Sequence, residues 1–310
     1  MNLHRARSAA INAAWLLAPG RTAALAPTWP LAEAERARLR VTWPKAYEWD
    51  AAGKWVNPLR REIGRLVAIE EDDIPQPWSG IVVIRVALDG EPHDVVIDYS
   101  DYPDVNADAV DAVPLYFKMQ FVPGADPRLV PGGFPPNHNR LYAYLPRLRA
   151  LRDRRRFVYD AYGRFGAGYA TEVRRRAVQI LREQTRVSYE GGLQPVRYGE
   201  YLREVARSKV CIDLPGNGDF CFRLVEYLAV GACVIGPRPR TQFHVPLVHG
   251  EHVVHGEEDM SDLVDLCERY VQDDEARERI AANARMYFDR YLHPRQLGCW
   301  YLQNALGALA

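Results

Sequence analysis

The sequence predicts an α/β protein: a doubly wound parallel sheet in the C-terminal half, preceded by a smaller, atypical α+β N-terminal domain. Three observations carry this. From Arg156 onward, short apolar segments alternate with helical stretches of about ten residues. Before them, β-branched residues fill both arms of a hairpin, 81–88 and 95–99, around the turn dipeptide Asp89-Gly90. Between the two lies a stretch rich in Pro and Gly, residues 122–140, which reads as a connection.

Taken in order, the elements are as follows. The apolar run at 9–18 follows Arg5 and Arg7 but is interrupted by Asn12, so it does not read as a signal peptide. Pro27, Pro30, Pro44 and Pro58 punctuate short helical pieces at 31–39 and 59–69. The hairpin leads into an acidic segment, Asp98, Asp101 and Asp104, and then a second strand candidate at 115–121. In the C-terminal half the strands are 157–162, 186–189, 210–214 and 232–236. Helices fall at 171–183, with Thr171 as N-cap, and at 198–208, 220–230, 261–272, 274–291 and 294–306. The expected division is an N-terminal domain at 1–125, a connecting segment at 126–153, a Rossmann-like domain at 154–290, and a terminal helix at 291–310 that packs back on the first domain.

Composition bounds the function. With 48% hydrophobic residues in a chain of 310, a sizeable core forms, and disorder and collagen are excluded. The 40 basic residues cancel 40 acidic ones, so the whole-molecule field gives no drive towards DNA or an anionic membrane. Four of the basic residues are lysines and 36 are arginines, so a lone arginine is weak evidence for phosphate binding. Five widely spaced cysteines, odd in number, fit reduced thiols and a cytoplasmic location. No run approaches the ~20 apolar residues needed to span a bilayer.

The chemistry concentrates in Leu214-Pro-Gly-Asn-Gly-Asp-Phe-Cys-Phe-Arg-Leu-Val-Glu226. In a doubly wound sheet, ligands bind beyond the carboxyl ends of the strands. Here Gly216 and Gly218 let backbone approach a ligand, and the following helix N-terminus favours an anion such as phosphate. Arg223 and Glu226 are three positions apart and share a helix face. The arginine can fork onto a diphosphate and the carboxylate can accept from ribose hydroxyls.

The run from Ser208 to Gly218, with Phe222-Arg223, Glu226 and Gly231-Ala-Cys-Val-Ile-Gly236, resembles the donor-binding segment of GT-B glycosyltransferases. It is most similar to the exostosin-like and CAP10-like families, which modify lipopolysaccharide or O-glucosylate proteins. The resemblance extends with less specificity over 157–290. It implies a GT-B-like fold with a Rossmann-like donor domain, a nucleotide-diphosphate sugar as donor substrate, no separate cofactor and no metal. Carried onto this sequence, it implies donor contacts at Gly216, Asn217, Gly218, Phe220, Arg223 and Glu226, with Arg164 as a phosphate-contacting loop residue. Retaining members often carry a second Glu eight positions before the ribose-binding one; Gly218 stands there, which favours an inverting mechanism.

Inversion needs a general base for the acceptor hydroxyl, and Asp98 and Asp101 are the candidates. Arg223 is expected to stabilise the leaving diphosphate, with Lys118 a lesser candidate for that role. His244, His249, His252 and His255 crowd one stretch without paired cysteines, so metal ligation is not expected, although His244 is expected to line the donor pocket. The expected partners are a nucleotide sugar and an acceptor that is a glycan, small molecule, protein or modified nucleic acid. A catalytically inactive module that binds a nucleotide sugar or glycan is the alternative. An NAD enzyme ranks low, because Cys221 stands where the third glycine of Gly-x-Gly-x-x-Gly belongs.

Overall fold

The computed structural model describes residues 25–310 apart from Ala125, so the apolar run at 9–18 lies outside the described residues. The described chain divides into two compact units, each crossed by the chain more than once. One comprises Pro136–Pro239 and Leu247–Phe288; the other comprises Leu25–Pro135, Arg240–Pro246 and Asp289–Ala310. The architecture is mixed α/β with parallel sheets, Rossmann-like in the first unit and consistent with a GT-B-like fold.

The second unit begins with the short helix α1 (Glu33–Ala37) and continues through β1 (Leu39–Pro44), α2 (Gly53–Ile63), β2 (Ile69–Asp72), β3 (Ile81–Leu88) and β4 (Glu91–Asp98). It then adds α3 (Ala107–Ala112), β5 (Leu115–Lys118) and β6 (Leu129–Pro131). The six strands lie in the order β2-β1-β3-β4-β5-β6. β1 is parallel to β2 and antiparallel to β3, β3 is antiparallel to β4, and β4, β5 and β6 are mutually parallel neighbours. Every strand except β3 therefore runs the same way. Asp89 and Gly90 turn the hairpin at φ 53 and 93, the left-handed pair that a two-residue loop between twisted strands requires.

The expected helix at 31–39 is shorter, because Leu39, Val41 and Trp43 alternate inward as β1. The piece expected at 59–69 is the end of α2, and Ile69 already belongs to β2. The hairpin, which gives no sign of strand–helix–strand units, is the antiparallel insertion in a sheet whose flanks are built from such units, β1-α2-β2 and β4-α3-β5. Both faces of the sheet are covered. Ile81, Val83 and Val96 pack with Ala109, Val110 and Val113 of the α3 region. The last helix, Pro294–Leu309, packs against α2 and β3. Its Tyr301 ring stacks on Phe117 of β5, with centroids 3.8 Å apart.

The first unit opens with α4 (Arg140–Asp153), a helix in the stretch read as a connection; Pro146 inside it hides the helical pattern. It continues with β7 (Tyr159–Arg164), α5 (Thr171–Glu183), β8 (Tyr189–Gly192), α6 (Tyr198–Ala206), β9 (Ser208–Ile212), α7 (Phe222–Val230), β10 (Cys233–Pro237) and β11 (Val254–Gly256). Helices α8 (Leu263–Gln272) and α9 (Asp274–Tyr287) follow. All five strands pair in parallel, in the order β11-β10-β9-β7-β8. Thr171 is not the N-cap of α5: Ala170 holds that position at φ 41, and the Thr171 hydroxyl donates to the Ala167 carbonyl.

Candidate functional site

In the first unit the strand order reverses between β7 and β9. The chain leaves β7 towards β8 on one side and leaves β9 towards β10 on the other, so the loops after these adjacent strands diverge and leave a crevice at their carboxyl ends. The two loops are 165–170 and 213–221. They lead into α5 and α7, whose N-cap residues, Ala170 and Cys221, make no cap with their own side chains. The positive ends of two helix dipoles therefore converge on one place.

Close strand approach depends on glycine here. Gly191 has φ 135, and a Cβ on it would lie 2.0 Å from the Gly163 carbonyl oxygen. A Cβ on Gly236 at the end of β10 would lie 2.4 Å from the Asp213 carbonyl oxygen.

Two buried arginines join the loops. Arg223, in the first turn of α7, donates from Nε to Asp213 Oδ1 at 3.0 Å, from Nη2 to the Leu214 carbonyl at 2.6 Å and from Nη1 to the Arg164 carbonyl at 3.4 Å. Its guanidinium lies over the Phe165 ring, 4.7 Å from the centroid. Arg174, in the first turn of α5, donates from Nε to the Pro215 carbonyl at 3.0 Å and from Nη1 to the Gly166 carbonyl at 2.9 Å. Its Nη2 lies 3.6 Å from the Cys221 sulfur. Burial pushes the Arg174 guanidinium down, and the neighbouring Arg223 charge adds to that. Asp213 is raised by burial against the pull of both arginines. Arg223 is thus ion-paired with Asp213, while Arg174, held by backbone carbonyls, adds a second guanidinium in a poorly solvated place.

Glu226 lies one turn further along α7 and is 2% exposed. Its Oε1 accepts from the Asn137 backbone N–H at 2.9 Å and from the Tyr198 hydroxyl at 2.8 Å. Burial pushes this carboxyl up to about 7, although both donors favour its ionised form.

The other expected donor-side residues are placed as follows. Asn217 is exposed at the loop tip, Gly216 is half-buried, and Gly218 and Phe220 are buried behind it. Arg164 ends β7, but its side chain turns to α6 and β8, donating from Nε to Glu204 and from Nη2 to Glu190, both at 2.7 Å. Its backbone carbonyl, not its guanidinium, meets Arg223. His244 belongs to the second unit. Its ring stacks on Trp300 with centroids 4.7 Å apart and meets Trp29 edge-on at 5.0 Å, and burial pushes its pKa down to about 3. Among the described residues, no group of three His, Cys, Asp or Glu is placed to hold a metal ion.

Asp98 and Lys118 are paired residues at the ends of β4 and β5, and both are buried. Asp98 Oδ2 accepts from the Tyr116 hydroxyl at 2.5 Å and from Lys118 Nζ at 2.9 Å, while Oδ1 accepts from the Ser100 N–H at 2.8 Å. Lys118 Nζ also donates to Ser100 Oγ at 2.7 Å. Burial pushes the lysine down, against the pull of Asp98. Asp101 is half-buried and accepts from the Gln120 amide at 3.2 Å.

Sequence reasoning missed Arg174, Tyr198 and Asp213 as contributors. Signals existed for two of them. An arginine in the first turn of a helix opposes the macrodipole, so its presence there asks for a local acceptor. A charged residue directly after the apolar strand Val-Cys-Ile asks for a buried partner. Tyr198 reaches Glu226 from another helix, and no spacing rule links them.

Residues 148–296 match a family model described as glycosyl transferase-like. No curated protein matches the chain. The chain therefore carries a glycosyltransferase-like domain, and the match runs from α4 to the start of the last helix.

Proposed function

We propose that the protein transfers a sugar from a nucleoside-diphosphate sugar to an acceptor hydroxyl, without a metal ion and with inversion. The observation that supports this best is the pair of buried arginines at the strand-order reversal, Arg223 on Asp213 and Arg174 on backbone carbonyls, beside the N-termini of two helices. A diphosphate suits the two guanidiniums and the positive end of the α7 dipole, the backbone N–H groups of Asn217 and Gly218 lie in the loop that would face it, and Gly216, whose N–H donates to the Gly218 carbonyl, keeps that loop tight. Arg223 and Arg174 act from behind this cradle, holding the loops and supplying fixed positive charge as the leaving group gains electrons. Phe220, buried at the end of the loop, anchors it. Glu226 accepts from ribose hydroxyls in its ionised form. Arg164 contributes charge near the phosphates while Glu190 and Glu204 hold it.

In the reaction the acceptor oxygen forms a bond to the anomeric carbon as the bond from that carbon to the diphosphate oxygen breaks. The electron pair leaves with the diphosphate, and the acceptor proton passes to a carboxylate. Asp101 suits that role better than Asp98, whose oxygens already receive three donors. The finer resemblance to exostosin-like and CAP10-like enzymes belongs to this proposal. So does a cytoplasmic site of action, which the five thiols support.

The test is calorimetric titration of UDP, GDP, ADP, dTDP and NAD into wild type, Arg223→Lys and Glu226→Gln. Arg223→Lys keeps a charge beside Asp213 and so probes the fork without stranding a buried carboxylate. Tight binding of one nucleoside diphosphate, weakened at least tenfold in both variants, is expected. Binding of NAD alone would overturn the transferase reading.

A further inference from the structure

In the second unit β1, β2, β4, β5 and β6 run in one direction, so the loops that follow β1 and β4 leave the same edge of the sheet. That edge carries a row of aromatic rings. Trp49, from the loop after β1, stacks on Tyr99, from the loop after β4, with centroids 6.4 Å apart and planes 22° apart. Tyr99 stacks in turn on Trp55 at 6.0 Å and 30°, and Trp55 meets Phe134 edge-on at 5.6 Å. Tyr99 and Phe134 are buried, whereas Trp49 is 54% exposed and Tyr102 is 55% exposed. Trp49 is thus the outer member of a stack whose inner rings are fixed in the core. An indole held this way loses little freedom when a ligand covers it.

The polar groups beside the platform are mainly acids. Glu48 and Asp50 flank Trp49 and are exposed, and Asp101 and exposed Asp104 follow Tyr99; Lys54 is the cation beside Trp55. A surface of this sign repels phosphates and other anions. It suits a neutral ligand that combines a flat apolar face with many hydroxyl donors. A pyranose ring is such a ligand: its axial C–H groups make one face apolar, and its hydroxyls ring the edge.

We propose that this edge binds a carbohydrate, with a pyranose ring stacked on Trp49 and its hydroxyls donating to the neighbouring carboxylates, so that the acceptor of the transfer is itself a sugar. The inference rests on the transferase reading for the word acceptor, but the binding does not require a nucleotide and is measured without one.

The experiment is a screen of the full chain against an array of neutral glycans, followed by tryptophan-fluorescence titration with the strongest binder. Duplex DNA and phosphatidylglycerol vesicles serve as anionic probes. The expected result is saturable binding of a neutral glycan that weakens at least tenfold in Trp49→Ala and less than threefold in Trp49→Phe, which keeps a ring on Tyr99. Trp49 is exposed, so the alanine variant is expected to fold, and unchanged nucleotide binding in that variant checks it. No bound glycan on the array, or equal affinity in Trp49→Ala, overturns the inference, as does preference for DNA or vesicles. Nucleotide binding without glycan binding would leave the transferase reading intact and remove this inference. Glycan binding without any nucleotide would do the reverse.

Discussion

The carboxyl edges of the two sheets each bury a cluster of charges, and the clusters differ in balance. In the first unit Arg223 is ion-paired with Asp213, and Arg174, bonded to backbone carbonyls, pulls on the same carboxylate through its charge. In the second, Lys118 meets Asp98 one to one, and Tyr116 and Ser100 complete the hydrogen bonds. The first arrangement holds one guanidinium on a carboxylate and the other on backbone carbonyls. The second is electrostatically closed, and what it offers outward is aromatic surface and exposed carboxylates. The same device, a buried ion pair at a strand end, thus ties two loops together in one unit and fixes a scaffold in the other.

The comparison breaks most sharply by removing one cation from each cluster. Lys118→Met leaves Asp98 buried with no cation and is expected to cost about 3–5 kcal/mol of stability. Adding Asp98→Asn should recover part of that loss, since a neutral amide is less costly to bury unpaired. Arg223→Ala leaves Asp213 beside Arg174 and is expected to cost less, on the order of 2–3 kcal/mol. Urea denaturation of the three variants checks the order, and an equal or larger loss for Arg223→Ala would show that the Arg174 charge does not pull on Asp213.

Glu226 sharpens the comparison through pH. Its folded pKa, about 7, lies above its unfolded value, so the folded state binds the proton more tightly. Its contribution to stability is full below the unfolded pKa and is lost as pH rises through about 7. Glu226→Gln should therefore flatten the decline in stability between pH 5 and 8 and be the more stable protein at pH 8, by roughly 1–3 kcal/mol. Thermal melts across that range decide it, and parallel slopes in the two proteins would contradict the assignment.

An effect of comparable size is expected from backbone packing at the crevice. Gly191→Ala forces a Cβ against the Gly163 carbonyl and should cost about 1–3 kcal/mol, with the first unit affected and the second not. Hydrogen exchange resolved by unit would show this, and uniform loss of protection would argue against a local cause. The smallest effect is expected at Arg38, whose fork onto Asp89 is solvent-exposed; Arg38→Ala should leave the midpoint of unfolding where it is.

Much of this was written locally. Strand and helix alternation fixes the first unit because buried parallel strands are short apolar runs and their helices carry a 3.6-residue stripe, patterns visible within a dozen residues. Asp89-Gly90 announces its own turn, because few other dipeptides adopt two left-handed conformations. The loop at Pro215–Asp219 and the shared face of Arg223 and Glu226 were equally legible. The short strands β2, β6 and β11 were not, since three or four residues carry too little periodicity to stand out.

Tertiary structure alone decided the order of the strands, and with it where the chemistry gathers. The reversal between β7 and β9 brings Arg174 and Arg223 to the same two loops, although they are far apart in the chain. Pairing of β4 with β5 joins Asp98 to Lys118, and the common direction of β1 and β4 sets Trp49 on Tyr99. Tertiary contacts also turned Arg164 away from the crevice, because Glu204 and Glu190 reach it from separate elements. The physical reason is that secondary structure answers to neighbours along the chain. The charge state and exposure of a side chain answer to neighbours across the sheet, which the sequence leaves unordered.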